Sequence, residues 1–322
     1  MTRDNLARRD DGPDADVTNP ALLRVAIAGL SAREKTLPPK WLYDRLGCDL
    51  FERITTLPEY YPTRTEAAIL ETHAPALGAA IPVGGALVEL GSGASIKTRT
   101  LLDAAPHLSA YVPVDIAAGF LVETAAGLRR RYPRLDVLPV VADFTQPVTL
   151  PTELRTVSKV GFFPGSTIGN LEPDAACRLL AGARDWPNVE SFVLGADLVK
   201  DTDTLVAAYD DADGVTAAFI GNLLTRINRE AGADFMPEAF AYEASWDAST
   251  ARIDMRLVSR RDQVVTLPGA RIAFAAGEAI HVSAARKYTM ESLGTLAREA
   301  GWALDRVLTD AQELFAVAIL RP

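Results

Sequence analysis

Val88 to Ser95 reads VELGSGAS, and the fold turns on this stretch. The run that leads into it, ALVEL at 86–90, is apolar and of strand length, and the residues from 95 to 105 carry a helical pattern. Glycine at the junction lets the main chain approach a ligand closely, and the helix start behind it presents amide N–H groups that have no partner in their own helix. Outward from this junction, strand-like runs at 111–114, 135–141, 159–163 and 191–196 alternate with helical segments at 116–131 and 173–183. Such alternation predicts a doubly wound α/β unit, a parallel sheet with crossover helices. After Asp197 the texture changes to a long helix at 215–230 and three antiparallel-looking strands at 240–246, 252–258 and 263–267, the first two separated by turn residues at 247–250. A helix at 290–300 and strands at 304–308 and 314–320 then resume the α/β style and are expected to close the sheet.

The chain has 322 residues, 48% hydrophobic and 23% charged, enough apolar material for one large domain or two smaller ones. Acidic residues outnumber basic ones 42 to 33, a formal charge of −9, which disfavours a nucleic-acid partner bound through phosphates and favours a small molecule. No apolar run approaches the roughly 20 residues that cross a bilayer, so no membrane partner and a cytoplasmic location are expected. The polar stretch 1–20 reads as a frayed arm. Cys48 and Cys177 are too few for a disulfide framework, and His73, His107 and His281 form no ligand spacing, so no metal is expected.

VELGSGAS lacks the third glycine of a dinucleotide fingerprint, because Ile96 stands where G-x-G-x-x-G requires glycine. That argues against a nicotinamide-dependent oxidoreductase and suits S-adenosylmethionine (SAM) better. Asp115 ends the next strand 24 positions after Gly91, where an acidic side chain meets ribose hydroxyls in such folds. Asp143 and Phe144 end the third strand, where a carboxylate can accept from an adenine amino group while the ring packs on its face. Without a ligand the same residues read as two helix N-caps and a core aromatic.

Several blocks follow one another in order: LPPKWLYDRLGCDLFERITTLPEYYPTRTEAAIL at 37–70, VELGSGASIKTR, VPVDIA, ADFTQ, FFPGSTIGNLEP, GADLVKD, AAYDDADGVTAAFIGNLLTRINRE and RKYT. With them the chain, from about Leu22 to its C-terminus, resembles the SAM-dependent histidine Nα-methyltransferases of ergothioneine biosynthesis. The resemblance implies a class I SAM-dependent methyltransferase sheet with a Rossmann-like order, formed by 64–200 and 288–322, and a second, α+β substrate-binding domain formed by 21–63 and 201–287. A monomer is expected. Tyr43, Gly91, Lys97, Asp115, Asp143 and Phe144 match the family's SAM contacts, and the Lys97 ammonium could pair with the methionine carboxylate. Tyr60, Asn170 and Tyr209 match positions that hold the amino acid, with Tyr60 and Asn170 the candidate catalytic residues and Met255 on the pocket wall.

One motif departs from the family pattern. The family carries Glu and then, two positions on, Ser before a Lys-aromatic pair, and these two read the imidazole of histidine. Here the segment is IHVSAARKYT, and anchoring on Lys287 and Tyr288 puts Ser283 and Ala285 at the reader positions. A carboxylate and a hydroxyl that could pair with an imidazole are gone, which weighs against histidine. The expected activity is N-methylation of a free L-amino acid, an aromatic one first, and arginine or another derivative second. Arginine would demand a carboxylate clamp, for which Glu238, Glu243 and Asp254 are the conceivable suppliers. A genuine histidine Nα-methyltransferase and a non-catalytic SAM-binding module are the alternatives, and His281 reads either as a pocket-rim residue or as a structural histidine.

Overall fold

The computed structural model describes residues 17–93 and 95–322. They fall into two compact units: one holds the described residues up to Gly47 with Ala217–Glu243 and Arg256–Val282, the other Cys48–Thr216, Ala244–Met255 and Ser283–Pro322. The arm expected over 1–20 lies outside the described residues as far as residue 16. From there Asn19 caps the helix Pro20–Leu30, its Oδ1 accepting from the Leu22 N–H at 3.1 Å.

The larger unit is built on a sheet whose order is Ala303–Thr309, Phe315–Arg321, Val189–Asp197, Lys159–Phe163, Ala86–Leu90, Ala110–Asp115, Asp136–Val137. The five strands from Asp136–Val137 to Val189–Asp197 run parallel, and Phe315–Arg321 is inserted antiparallel to Val189–Asp197. This is the expected α/β fold with the class I methyltransferase order, closed by the two C-terminal strands. Both faces of the sheet are covered, as parallel sheets require. Ala86, Val88 and Leu90 enter one apolar core with Phe163, Leu194 and Trp302, while Leu87 enters the other with Tyr111, Phe162 and Val317.

The strand expected at 135–141 is two short pieces, Asp136–Val137 and Val140–Val141, both paired with Ala110–Asp115. Pro139 falls between them and has no N–H to give the ladder. Two strands lie beyond those the sequence predicts before the helix at 290–300. Gln263–Leu267 pairs with Ala270–Phe274 as a hairpin, and Ala279–Arg286 is a further strand. It belongs to a four-stranded sheet in the order Lys35–Thr36, Ala279–Arg286, Arg252–Ser259, Phe240–Asp247. The division of the chain passes through these strands, so Met255, Ser283 and Ala285 count with the larger unit. No helix among the described residues is long and apolar enough to cross a membrane.

Candidate active site

The strand Ala86–Leu90 delivers Gly91 at its C-terminal end with φ +66°, a left-handed conformation that strains other residues. A Cβ there would lie 3.3 Å from the Phe144 ring and 3.8 Å from Phe163. Phe144 meets Phe163 edge-on, with ring centroids 5.3 Å apart at 67°. Asp115, at the end of the neighbouring strand, accepts from the Gly93 N–H at 3.0 Å on one oxygen and from the Ala117 N–H at 2.9 Å on the other. One carboxylate thus ties the glycine turn to the start of the helix Ala118–Arg131, and each oxygen keeps a second lone pair for a ligand hydroxyl. Asp143 folds its own turn, accepting on Oδ1 from the Thr145 N–H at 3.1 Å and hydroxyl at 2.5 Å. Between the two glycines, the Ser92 hydroxyl is buried with no hydrogen-bond partner among the described residues. An orphan hydroxyl at a glycine turn fits a ligand with polar groups better than a closed core.

Glu89 of the same motif lies beneath this turn rather than in it. It is 2% exposed, and its Oε2 accepts from the Thr98 hydroxyl at 2.5 Å and from the Tyr111 hydroxyl, which is 2.9 Å from Ser95 Oγ. The group therefore pins the helix Ile96–Ala104 to two strands. Burial pushes the carboxyl up to about 7 from 4.5, against the lowering effect of the two hydroxyl donors. Between those two values the folded state binds the extra proton, so this group's contribution is full below pH 4.5 and is lost as the pH rises through about 7. Glu89→Gln is expected to gain stability relative to the parent across that window, by on the order of 3 kcal/mol at most. Urea melts at pH 4.5, 6 and 8 check it, and a difference that stays constant with pH contradicts it.

Lys97 is held by Glu66, which lies outside the glycine motif. The Lys97 ammonium donates to this fully buried carboxylate on the helix Tyr61–Ala79. Glu66 also accepts from the Gly165 N–H, with both oxygens at 2.9 Å. An ammonium has three donors, so Lys97 keeps capacity for a ligand carboxylate beside this pair. The same Gly165 begins the turn that carries Asn170. Thr167 closes on the Pro164 carbonyl at 2.9 Å, Ser166 Oγ accepts from the Asp197 N–H at 2.9 Å, and the 3-10 turn Thr167–Asn170 follows. A Cβ on Gly169 would fall 2.5 Å from the Arg286 carbonyl oxygen, so this turn lies in backbone contact with the end of Ala279–Arg286. The Asn170 side chain makes no hydrogen bond to another described residue. Glu66 had a readable signal: it occupies the apolar stripe of its helix with Pro62, Ile69 and Leu70, where a lone carboxylate needs a specific partner.

Asp197 ends the strand Val189–Asp197 fully buried. Its carboxylate accepts from the Tyr61 hydroxyl at 2.9 Å, from Lys200 Nζ at 2.6 Å and from Lys287 Nζ at 2.7 Å. Burial, then the Asp197 charge, raises the Tyr61 phenol far above its ordinary range, which keeps it a donor; burial lowers the Lys200 ammonium. Lys287 also donates to the Tyr209 hydroxyl at 2.7 Å and lies 4.4 Å from the centre of its ring. Tyr209 in turn meets Tyr60 edge-on, centroids 5.9 Å apart at 78°. Tyr60, Asn170, Tyr209, Met255, Ser283 and Ala285 are thus all carried by the larger unit. Tyr43 belongs to the other, where its ring packs on Phe219 at 5.6 Å. Ser283 and Ala285 are 5% and 4% exposed, and two residues apart on one strand they share a face. Glu238 and Glu243 are exposed, and Asp254 lies 2.9 Å from Arg252.

The histidine-specific, SAM-dependent methyltransferase family matches residues 22–322. This chain belongs to that family. Among its relatives, the histidine N-alpha-methyltransferase of Mycolicibacterium smegmatis is 43% identical over 95% of this chain and 96% of its own length. The enzyme of the same name from Mycobacterium tuberculosis is 40% identical over 94% and 96%. The 4-dimethylallyltryptophan N-methyltransferase of Trichophyton verrucosum is 25% identical over 85% of both chains. The protein is a SAM-dependent N-methyltransferase, and SAM is its cofactor.

Proposed function

We propose that this methyltransferase acts on the α-amine of a free L-amino acid other than histidine, with an aromatic amino acid first and arginine or another amino-acid derivative second. The observation that carries the reading is the pair Ser283 and Ala285, both buried on one strand face where the family holds a Glu and a Ser. A site that lacks the buried polar partners of an imidazole loses the hydrogen bonds that discriminate for it. Met255, 6% exposed on the neighbouring strand, adds a flexible thioether that adapts to larger side chains. The 4-dimethylallyltryptophan enzyme is a relative named for an indole substrate, which supports an aromatic occupant. The alternative to this whole reading is histidine itself, which the 43% identity to a histidine enzyme supports.

In this reading Gly91, Ser92, Lys97, Asp115, Asp143 and Phe144 hold SAM, which supplies an electrophilic methyl group when bound. The transfer needs no protein nucleophile, so the chain's part is positioning and exclusion of water, which together contribute about 7–11 kcal/mol. The Asn170 carbonyl accepts from the substrate amine and aims its lone pair, and the Tyr60 and Tyr209 hydroxyls donate to the carboxylate. A phenol's ordinary pKa near 10 makes Tyr60 an orienting group and a poor base at neutral pH. The amine must therefore arrive neutral. Incubation with SAM and each of the twenty amino acids, read by mass spectrometry for methylated products, tests the assignment. Turnover is expected to be highest with tryptophan, tyrosine or phenylalanine, and efficient trimethylation of histidine would overturn it.

A further inference from the structure

Tyr209 is set in advance as a donor toward a substrate only when something else takes up its oxygen. A phenol has one O–H and can also accept, so in isolation it can as readily turn its oxygen as its hydrogen toward a ligand. Here that oxygen is engaged by Lys287, whose side chain is entirely buried, at 2.7 Å. Lysine has donors only, which fixes the polarity of the contact. The ammonium is itself fixed by Asp197 at 2.7 Å, and Asp197 by Tyr61, Lys200 and the end of its strand. The Lys287 backbone N–H is tied to the Ala251 carbonyl at 2.7 Å, so both ends of the residue are held. We propose that Lys287 is a positioning residue for substrate binding: from its seat on Asp197 it holds the Tyr209 hydroxyl with its hydrogen directed away, as a donor to the substrate carboxylate. The proposal rests on the reading of Tyr209 as a carboxylate-holding residue. It is independent of the substrate's side chain, because every α-amino acid carries that carboxylate.

The test is a double-mutant cycle of Lys287→Met and Tyr209→Phe. It is read by calorimetric affinity for L-tryptophan and for L-histidine in the presence of S-adenosylhomocysteine, with KM and kcat measured alongside. Affinity for S-adenosylhomocysteine alone scores folding and is expected to stay within about twofold of wild type in each variant. Each single substitution is expected to weaken both amino acids about ten- to a hundredfold, through KM more than kcat, and the double variant to lose no more than the worse single one. Lys287→Gln, which reaches one bond less far and carries no charge, is expected to fall between Met and wild type. It serves in place of Lys287→Met if that variant fails the folding score. Wild-type affinity in either Lys287 variant, or losses that multiply in the double variant, overturns the role given to Lys287 while leaving Tyr209 in place. Wild-type affinity in Tyr209→Phe, or no binding of either probe to the parent protein, overturns the reading of the site and the proposal with it.

Discussion

Asn170→Ala is expected to lower kcat about a hundredfold or more, with the melting temperature and SAM affinity near those of the parent protein. The Asn170 turn is assembled by its neighbours: Glu66 holds Gly165, Ser166 takes the Asp197 N–H, and Gly169 packs against Arg286. The Asn170 amide contributes no bond to another described residue, so its removal leaves that scaffold intact. What disappears is the acceptor that aims the amine, and misplacement of a reacting atom by about 1 Å can cost a hundredfold in rate. Single-turnover kinetics with saturating amino acid and SAM separate this from weakened binding. A kcat within threefold of wild type removes Asn170 from the role.

The second large effect concerns substrate choice. Ser283→Glu combined with Ala285→Ser is expected to raise kcat/KM for histidine about a hundredfold or more and to lower it for aromatic amino acids. A hydrogen bond to a charged group is worth about 1.5–3 kcal/mol, and a buried pair of partners for the imidazole restores such bonds where the strand now offers a hydroxyl and a methyl. Both positions are buried, so a carboxylate introduced there is costly until a substrate N–H satisfies it. The double variant should therefore melt lower than the parent without ligand and recover more on adding histidine. Competition between histidine and tryptophan in one reaction reads the switch directly, and an unchanged preference shows that the two positions do not select the substrate.

Much of this was legible in the chain. VELGSGAS, the alternating apolar runs and the acidic residues at successive strand ends gave the sheet, and the glycine turn, Asp115 and Phe144 do converge on one end of it. Asp115 serves as a tether for Gly93 and Ala117, but the residue that caps the helix Ala118–Arg131 is Ala117 and no side chain caps it, so Asp115 is not the helix N-cap that its sequence position also allowed. Parts of the strand pattern were not legible. The strand 135–141 looked continuous because periodicity weighs apolar character and not the missing N–H of Pro139. The strand Ala279–Arg286 was missed because IHVSAAR has small residues on positions that usually carry branched or aromatic ones, and its strand character comes from its partners in the sheet.

The amino-acid sequence by itself determined the class of this protein. Local spacing decides where glycines, strand ends and helix starts fall, and the chemistry of a SAM site follows from those local features. It also determined the departure at Ser283 and Ala285, since a residue's identity needs no fold to be read. Only the tertiary structure decided which groups act together. Glu66 and Lys97, 31 positions apart, share an ion pair; Asp197 and Lys287 meet in a fully buried one; and Lys287 reaches Tyr209 across 78 positions. Such charges carry no local pattern. Burial makes each of them costly alone, and only the packing that brings the partners within hydrogen-bond distance turns them from a liability into the support of the site.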